Sequence, residues 1–436
     1  MAKFEAASRT GKDMSGHSAM KRVAIGWPLA LLLCAAAAAD DAEVFPYVLP
    51  DEKPAGARSA AVERLYDKYP AETPEKNELF SQFRFTRLEG FDYNGHDGTI
   101  SRRDPSKVVR VGDKYYVWYT HRETPEPPRG SGRGTDTVPS TDWDLAEIWY
   151  ATSDDGFVWE EQSVAVPRPP KPAAGWRSVS TPDILVWGGK YYLYYQGFLE
   201  MSGRRGDDCP VAASVADSPD GPWRPVGDII IPNGPEGSWD RYSIHDPYPL
   251  VYRDKIYLYY KSDFNNASPH VRMHGVAIAD DPLGPFVKHE LNPVMNSGHE
   301  TTLFPFGEGI AAFAIRHGME HNTIQYAPDG VNFEVMTSVR MMPVAAGPYV
   351  PDAFTNTRDG RGITWGLSHF TNVAPAARRH SILGRFDCDL SKDVDDPWMK
   401  RTEVWLKPDI YFSLGLSRSQ RTEAELRARK PADDGR

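Results

Sequence analysis

Cysteine is scarce in this 436-residue chain, which has only Cys34, Cys209 and Cys388. So few thiols exclude the disulfide-rich scaffold that small exported domains use in place of a large core. Cys34 falls in the apolar leader described below, so two cysteines remain for the mature chain. We expect them to be separate thiols, with one disulfide between them as the alternative.

An excess of positive charge is also missing. Sixty acidic residues outnumber fifty basic ones, and the formal net charge is −10 at pH 7. This balance argues against nucleic acid as a partner and gives no positive information about a substrate. Hydrophobic residues make up 40% and aromatic residues 12% of the chain, which is enough for a large core.

No apolar stretch is long enough to span a bilayer comfortably, since a helical span needs about 20 such residues. Lys21 and Arg22 precede a short apolar run over 23–33, and an alanine tract over 35–39 follows. This order is typical of a secretory signal peptide. We predict that residues 1–39 are a signal peptide with an upstream extension, and that the protein is periplasmic or secreted. Lipid anchoring at Cys34 is the less favoured alternative, because a bulky leucine precedes it.

The chain instead contains a repeated unit. Each copy has an acidic residue, a short apolar strand, a polar turn and an aromatic strand, a pattern that predicts β-hairpins. Three copies are clear and two are degenerate; they begin at Asp104, Thr181, His245, Glu300 and Pro351. A second element, with an Asp/Pro/Gly turn between strands, follows four of them, at Ala151, Ala216, Ala279 and Ala327.

Four strands per unit and five units predict an all-β fold, a five-bladed β-propeller over residues 85–412, with a β-sandwich as the alternative. Residues 40–84 are predicted to be an extended and helical segment, in which two short helical pieces lie within 57–83. Residues 413–436 form a charged tail that we expect to be a short exposed helix or to fray. Neither piece can bury much alone, so each must pack on the propeller or on another chain.

Acidic residues begin the innermost strands, which start near the axis of a propeller and therefore converge. Such a cluster is costly unless the acids titrate, bind a cation or do chemical work. The pattern His-acid occurs three times at these positions, and we interpret it as a functional site. The acids are Asp97 with Asp104, Asp183, Asp246, Glu300 and Asp352, and the histidines are His96, His245 and His299.

Glycosidic bond cleavage needs one group that protonates the leaving oxygen and another that activates water. His299 or Glu300 fits the proton donor, Asp97 fits the base, and Asp246 fits a group that orients the donor. Metal binding is the competing interpretation, although neither an HExxH motif nor a paired cysteine motif is present. A divalent cation (Zn, Mg or Ca) is left open, and no organic cofactor is expected.

Other polar and aromatic residues are candidates for binding a sugar. Trp143 fits a stacking platform or a core position, and Gln196 points into the funnel or caps a blade. Arg122 belongs to a basic group with Arg102, Arg103 and His121 that holds substrate hydroxyls or neutralises the acids. His245 and Asp183 complete the predicted substrate contacts.

Several long segments resemble glycoside hydrolase family 117, whose members are α-1,3-(3,6-anhydro)-L-galactosidases, or neoagarobiose hydrolases. The resemblance extends over nearly the whole mature chain. The segments that carry it are GHDGTISRRDP from Gly95, THRETP from Thr120, STDWDLAEIWYATSDDG from Ser140, IHDPYPL from Ile244 and GHETTLFPF from Gly298.

The resemblance implies a five-bladed propeller and exo-acting hydrolysis, with inversion, at the non-reducing anhydrogalactose of neoagarobiose or longer neoagaro-oligosaccharides. It implies Asp97 as base, Asp246 as a second essential acid, and His299 as an unusual proton donor with Glu300 beside it. Trp143 and Gln196 fall at sugar-binding positions. The resemblance also implies a homodimer in which the N-terminal helical segment is exchanged, and some members have a divalent cation near the site.

Three rival interpretations use the same fold. A family 43-type arabinosidase or xylosidase uses two Asp and one Glu, and the pair His299–Glu300 separates it from family 117. A phosphorylase needs a basic phosphate pocket, for which Arg102 and Arg103 are candidates. A non-catalytic sugar-binding propeller would not need the acids. The substrate length, the metal, the identity of the donor and the mature N-terminus are not fixed by the sequence.

Overall fold

The computed structural model describes residues 44–46, 48–67, 77–201, 209–227, 229–263, 272–297, 299, 301–315, 318, 320–371 and 379–402. The predicted signal peptide, Glu300 and the charged tail over 413–436 lie outside these residues. Across the described ranges the fold is mostly β, which confirms the predicted class, and contains no helix long and apolar enough to cross a membrane. In the described part of the chain, Cys209 and Cys388 are both buried, and no disulfide joins them, as expected.

Helix α1 (Ala60–Tyr66) and strand β1 (Arg84–Arg87) come first. The Ser59 side chain caps the helix by accepting a hydrogen bond from Val62 N at 3.3 Å. The predicted second helical piece is wrong for 77–83, which has no helix. The apolar side chains of this segment are buried, and Lys400 Nζ donates hydrogen bonds to two of its carbonyl oxygens. These contacts hold the segment in a non-helical conformation.

In the first sheet, β2 and β3 pair with opposite ends of β4, so they form one interrupted inner strand. The interruption contains Asp104, whose φ is 50°, followed by Pro105. Strands β4, β5 and β6 continue the sheet as an antiparallel meander. The strands are β2 (Ile100–Arg103), β3 (Val109–Val111), β4 (Lys114–Glu123), β5 (Glu147–Ser153) and β6 (Glu160–Val166).

The second and third sheets are four-stranded antiparallel meanders in chain order. The first strand of each contains a register shift, between Ser180 and Asp183 or between His245 and Tyr248. Their strands are β7 (Ser178–Trp187), β8 (Lys190–Phe198), β9 (Val211–Ala216) and β10 (Arg224–Pro225), then β11 (Ser243–Tyr252), β12 (Lys255–Asp263), β13 (His274–Ala279) and β14 (Val287–Lys288).

The last sheet joins two meanders through a short pairing of β15 with β20. One runs from β15 to β18; in the other, β20 lies between β19 and β21, and β1 is outermost. The N-terminal strand therefore completes a sheet made from the C-terminal part of the chain. Its remaining strands are β15 (Thr302–Gly307), β16 (Gly309–Ala314), β17 (Thr323–Ala327), β18 (Glu334–Ser338), β19 (Gly347–Pro348), β20 (Gly360–Thr371) and β21 (Ser381–Ser391).

The hairpin predicted from Pro351 is wrong. Residues 351–355 form a turn, and the hairpin of this unit is β20–β21. Asp352 accepts a hydrogen bond from Arg361 N at 2.7 Å, and it does not line the pocket at the inner strands. The turn is held beside β11, because Val251 N donates to Ala353 O at 3.1 Å. The other four predicted hairpins are confirmed.

Aromatic side chains join neighbouring sheets in a repeated way. Tyr194 OH on β8 donates to Pro282 O, and Tyr259 OH on β12 donates to Gly330 O, both at 2.7 Å. Trp118 on β4 contacts Trp223, with ring centroids 5.7 Å apart. In each case the aromatic strand of one sheet contacts the Asp/Pro/Gly turn of the next. This explains why both repeated elements recur in the sequence.

Contacts between the strands of neighbouring sheets follow the chain order. Strand β4 contacts β7, β7 contacts β11, β11 contacts β15, and β15 contacts β20, while β20 and β21 contact β2. The last sheet therefore lies next to the first. Five blades closed around an axis stay a prediction.

Candidate active site

A narrow pocket lies at the interruptions within the inner strands of the first three sheets. Asp104, Thr181 and Asp246 line it, each followed by a proline and each with φ near 50°. A non-glycine residue with φ near 50° is strained, and strained residues concentrate at functional sites. The pocket has a volume of about 30 Å³. This volume has room for about one water molecule and is too small for a sugar ring, so a sugar would have to lie outside it.

Each acid around this pocket has a buried cation of its own. Arg103 Nε lies 2.8 Å from Asp104 Oδ2, Lys261 Nζ lies 3.4 Å from Asp246 Oδ2, and Lys107 Nζ bonds to Asp183. The side chains of Lys107 and Lys261 are 0% and 1% exposed. These ion pairs offset the electrostatic cost of placing several acids close together. The pairs with Lys107 and Lys261 were not predicted from the sequence.

The pKa values of these groups follow from burial and from the pairs. Burial raises the pKa of Asp104, but Arg103 and His369 hold it well below its usual range. Burial lowers the pKa of Lys107 to about 8, against the opposing effect of Asp183. The pKa of Asp183 is raised because burial outweighs the contacts with Lys107. Asp183 lines the pocket and is paired with the buried Lys107.

Within the described ranges, no group of three or more His, Cys, Asp or Glu side chains is arranged to hold a metal ion. The acids that line the pocket are instead paired with Arg103, Lys107 and Lys261. The divalent cation that the sequence left open thus has no cluster of side-chain ligands among these residues.

Asp97 lies on a strained loop just before β2. Asn94, Gly95 and His96 have φ values of 49°, 61° and 60°, three left-handed residues in succession. Asp97 Oδ1 accepts hydrogen bonds from Thr99 N at 2.8 Å and from Thr99 Oγ1 at 2.5 Å. Asp97 Oδ2 accepts one from Asn94 Nδ2 at 2.7 Å. These contacts fix the orientation of a partly exposed carboxylate.

Arg122 holds this loop from below. Its buried guanidinium donates to Gly98 O at 2.8 Å, to Thr99 O at 3.0 Å and to Asp142 O at 3.2 Å. Burial lowers the pKa of Arg122 to about 10, which leaves it charged near neutral pH. The contacts described for Arg122 are with the protein itself, and its predicted contact with substrate stays a prediction.

Two other basic residues near Asp97 form ion pairs with acids. Arg102 Nε lies 2.6 Å from Glu161 Oε2, and Arg103 Nη1 lies 3.1 Å from Asp142 Oδ2. These contacts support the interpretation that the basic group neutralises acids.

Trp143, Phe198 and His245 form an aromatic row. The ring centroids of Trp143 and Phe198 are 4.8 Å apart, and those of Phe198 and His245 are 5.6 Å apart. His245 directly precedes Asp246 on β11. Gln196 is buried on β8, two residues before Phe198 and therefore on the same face. The structure thus brings together three of the predicted sugar contacts beside Asp246.

The loop that carries Trp143 is anchored by a buried ion pair. Arg177 Nε lies 2.6 Å from Asp144 Oδ1, and Arg177 Nη2 lies 2.5 Å from Asp144 Oδ2. Ser178 Oγ donates to Trp143 O at 2.8 Å. Bidentate pairs of this kind fix geometry as well as contributing energy.

His299 is half-buried and has a φ of 142°, a backbone conformation that side chains rarely adopt. One side chain contacts the chain on both sides of His299, two positions away in each direction. His274 Nδ1 lies 2.7 Å from Ser297 O and 3.3 Å from Thr301 Oγ1. His274 and Lys261 were not among the residues predicted for the site. Strand register, which the sequence pattern does not give, brings them to this position.

The chain is similar to several solved structures. Zg3597, a family 117 glycoside hydrolase from the marine bacterium Zobellia galactanivorans, is 60% identical over 78% of this chain and 100% of its own, with a TM-score of 0.73. CoXyl43, a GH43 β-xylosidase/α-arabinofuranosidase from a compost metagenome, is 16% identical over 70% and 94%, with a TM-score of 0.45. The α-L-arabinofuranosidase PaAbf62A from Podospora anserina is 11% identical over 71% and 97%, also with 0.45.

No protein-family model matches the chain, and none of the curated proteins compared with it matches either. Identity of 60% over the full length of a glycoside hydrolase defines the class of this protein. The chain belongs to glycoside hydrolase family 117, which confirms the resemblance seen in the sequence.

Proposed function

We propose that this protein is an exo-acting, inverting α-1,3-(3,6-anhydro)-L-galactosidase. It would release 3,6-anhydro-L-galactose from the non-reducing end of neoagarobiose and neoagaro-oligosaccharides, and so act in agar breakdown. The observation that carries the proposal is membership of family 117 at 60% identity. The segments around Asp97, Asp246 and His299 resemble those of the anhydrogalactosidases in that family.

Asp97 is the proposed general base. Its carboxylate would take a proton from the water that attacks the anomeric carbon, and attack from the face opposite the leaving group inverts the configuration. The donors of Asn94 and Thr99 hold this carboxylate in one orientation. A base held in this way loses little entropy when it engages water.

His299 is the proposed proton donor to the glycosidic oxygen, and Glu300 is the alternative. A His donor must be protonated before the reaction, and a carboxylate nearby favours that form. Asp246 supplies such a carboxylate, partly offset by Lys261 at 3.4 Å. The variants His299→Gln and Glu300→Gln distinguish the two donors, because an aryl glycoside with a good leaving group needs no proton and would rescue only the variant of the true donor.

The aromatic row and its neighbours form the proposed sugar-binding wall. Trp143 offers a ring face for stacking, and His245 and Gln196 offer polar atoms beside Asp246. Arg122 and Asp183 would support this wall indirectly. Arg122 holds the loop of Asp97, and Asp183 lines the pocket.

We also propose that the five meanders close into a five-bladed propeller. The contacts between neighbouring sheets support this, since the first sheet contacts the last through β2 with β20 and β21. Strand β1 would then be the outer strand of the last blade, supplied by the N-terminal part of the chain.

Export and dimer formation are part of the same proposal. Helix α1 buries Ala61 and Val62, and Arg64 bonds to Glu320 at 2.6 Å. In a homodimer with exchanged N-terminal segments, the same face would occupy the same groove of the second copy. Size-exclusion chromatography with light scattering tests this, and a monomer at all concentrations would overturn it.

The function is tested with the purified mature protein and neoagarobiose or neoagarotetraose, with aryl arabinoside and xyloside as controls. Release of anhydrogalactose is expected, and Asp97→Asn should lower kcat at least a thousandfold. Asp113→Asn, in the exposed turn between β3 and β4, is the matched control. No release with or without added divalent cation would overturn the substrate assignment, and turnover of the arabinoside instead would favour a family 43-type activity. Calorimetric binding of neoagarobiose without turnover would indicate a binding module.

A further inference from the structure

His274 is a buried histidine with no part in the chemistry proposed above. It is the first residue of β13, and only 1% of its surface is exposed. Its backbone is held on both sides: it lies opposite Lys261 on β12, and its N–H donates to Met295 O at 3.1 Å. The ring therefore has little freedom to move.

The contacts of Nδ1 define the tautomer of this ring. The carbonyl oxygen of Ser297, 2.7 Å away, can only accept, so Nδ1 carries the hydrogen. The same hydrogen faces Thr301 Oγ1 at 3.3 Å. One N–H thus contacts residues two positions before and two positions after His299.

The neutral form of the ring is the stable one here. Burial, with a smaller contribution from Lys261, lowers the pKa of His274 to about 4, against the opposing effects of Ser297 and Asp246. Protonation would place a second buried positive charge beside Lys261. The ring is therefore a hydrogen-bond donor of fixed direction near neutral pH, rather than an acid or a base.

His274 also continues a row that begins at Asp246. Lys261 lies opposite both His245 and His274 in the register of its sheet, and its Nζ contacts Asp246 Oδ2 at 3.4 Å. Side chains at directly paired positions are neighbours on one face. Asp246, Lys261 and His274 therefore cross three adjacent strands towards the segment that carries His299.

We propose that His274 is a positioning residue, whose Nδ1–H holds Ser297 and Thr301 and thereby fixes His299 relative to Asp246. The proposal rests on the proposed role of His299 as proton donor. It differs from a general packing role, because it depends on one hydrogen at one position of the ring.

Two amide side chains separate these roles. Asparagine places its amide nitrogen near the position of Nδ1, whereas glutamine reaches the position of Nε2. His274→Asn should keep the donor to Ser297 O, and His274→Gln should lose it while keeping a polar group of similar size. His289→Gln is the matched control, because His289 directly follows β14 of the same sheet and its Nδ1 accepts from Leu291 N within its own turn.

The experiment measures kcat and KM on neoagarobiose for the four proteins, with thermal midpoints as a check on folding. We expect His274→Gln to lower kcat at least tenfold with KM changed less than threefold. His274→Asn and His289→Gln should stay within threefold of the wild type in kcat. Amide hydrogen exchange of a peptide spanning 296–302 should be several-fold faster in His274→Gln and unchanged in His274→Asn.

The outcomes separate this proposal from the proposed function. Wild-type activity together with full kcat in His274→Gln would overturn the positioning role and leave the function standing. Equal losses of kcat and thermal midpoint in both His274 variants would also overturn it, since packing alone would explain them. An inactive wild type would overturn the function, and hydrogen exchange would then decide: faster exchange only in His274→Gln supports the positioning role, and equal exchange refutes it.

Discussion

His96 Nδ1 lies 2.9 Å from His380 Nε2, although 284 positions separate the two residues. The His96 ring also stacks on Tyr93, with centroids 5.5 Å apart and an interplanar angle of 10°. Next to this contact, Ser381 N donates to Ser101 Oγ at 2.9 Å. The strained loop before Asp97 is therefore in contact with the start of β21, which lies far from it in sequence.

Removing the contact between His96 and His380 should slow the reaction. His380→Ala removes the partner of His96 and leaves a cavity at a buried position, so the Asp97 loop should lose its fixed orientation. We expect kcat on neoagarobiose to fall about tenfold, since small misplacements of a base are costly. His380→Gln keeps a nitrogen near the position of Nε2 and should retain most of the activity. Equal kcat in the Ala variant and the wild type would show that the contact does not position the loop.

Much of the fold was predictable because the repeat has a direct physical basis. A polar turn between an apolar and an aromatic strand specifies a hairpin, and the Asp/Pro/Gly turn that follows receives the aromatic hydroxyl groups of the preceding sheet. The same pattern failed at Pro351. There the inner strand is only Gly347–Pro348, and Gly347 approaches Ser106 O so closely that a Cβ would lie 2.0 Å from it. A two-residue strand leaves no alternation to detect.

The site was predictable only in part. Asp246, His245 and Trp143 were predicted because each lies beside a strand with a recognisable pattern, whereas Phe198, which lies between the two rings, was not. The buried lysine beside Asp246 was not predicted: Lys261 pairs with Asp246 through strand register. Arg122 was predicted, but its contact with the Asp97 loop across β2 was not. Pairings between residues of different strands depend on which positions face each other, and composition and spacing do not carry that information.

Trp143 should contribute to binding more than to chemistry. It is half-buried against Phe198, so its remaining surface is available to the apolar face of a sugar. We expect Trp143→Ala to raise KM about tenfold while kcat changes less than threefold. Trp398→Ala is the matched control, because Trp398 is 63% exposed and lies outside the site. Initial-rate kinetics on neoagarobiose would contradict this prediction if KM were the same in both variants.

The ion pair of Arg177 and Asp144 should support both stability and substrate binding. Both side chains are 1% exposed, and Arg177→Leu would leave Asp144 as an unpaired buried charge. Breaking one side of such a pair costs about 3–5 kcal/mol. Because Asp144 follows Trp143 directly, KM should also rise.

Urea unfolding and initial-rate kinetics test this prediction. Arg129→Leu is the control, since Arg129 and Glu126 form an exposed pair and exposed pairs contribute about 0–1 kcal/mol. An unfolding free energy for Arg177→Leu as high as that of the control would show that Asp144 finds another partner.

Two buried histidines should make the protein lose stability in mild acid. Burial, with Arg102 as the next cause, lowers the pKa of His121 to about 3, and burial lowers that of His274 to about 4, from an ordinary 6.5. Between about pH 4 and 6.5 the unfolded chain therefore binds protons that the folded chain does not. Stability from these groups is fully present above 6.5 and falls as the pH decreases, by about 1.4 kcal/mol per unit for each histidine.

The change from pH 7 to pH 5 isolates this effect from packing. His121→Leu removes one titrating group, so its loss of unfolding free energy over this interval should be about 2 kcal/mol smaller than that of the wild type. The absolute stability of the variant will differ, because the His121 ring packs on Trp149 at 4.5 Å, and only the difference between the two pH values is compared. The exposed His321→Gln controls for the loss of a histidine as such. Parallel pH curves for His121→Leu and the wild type would mean that His121 takes up its proton without unfolding, and that the buried ring is open to solvent.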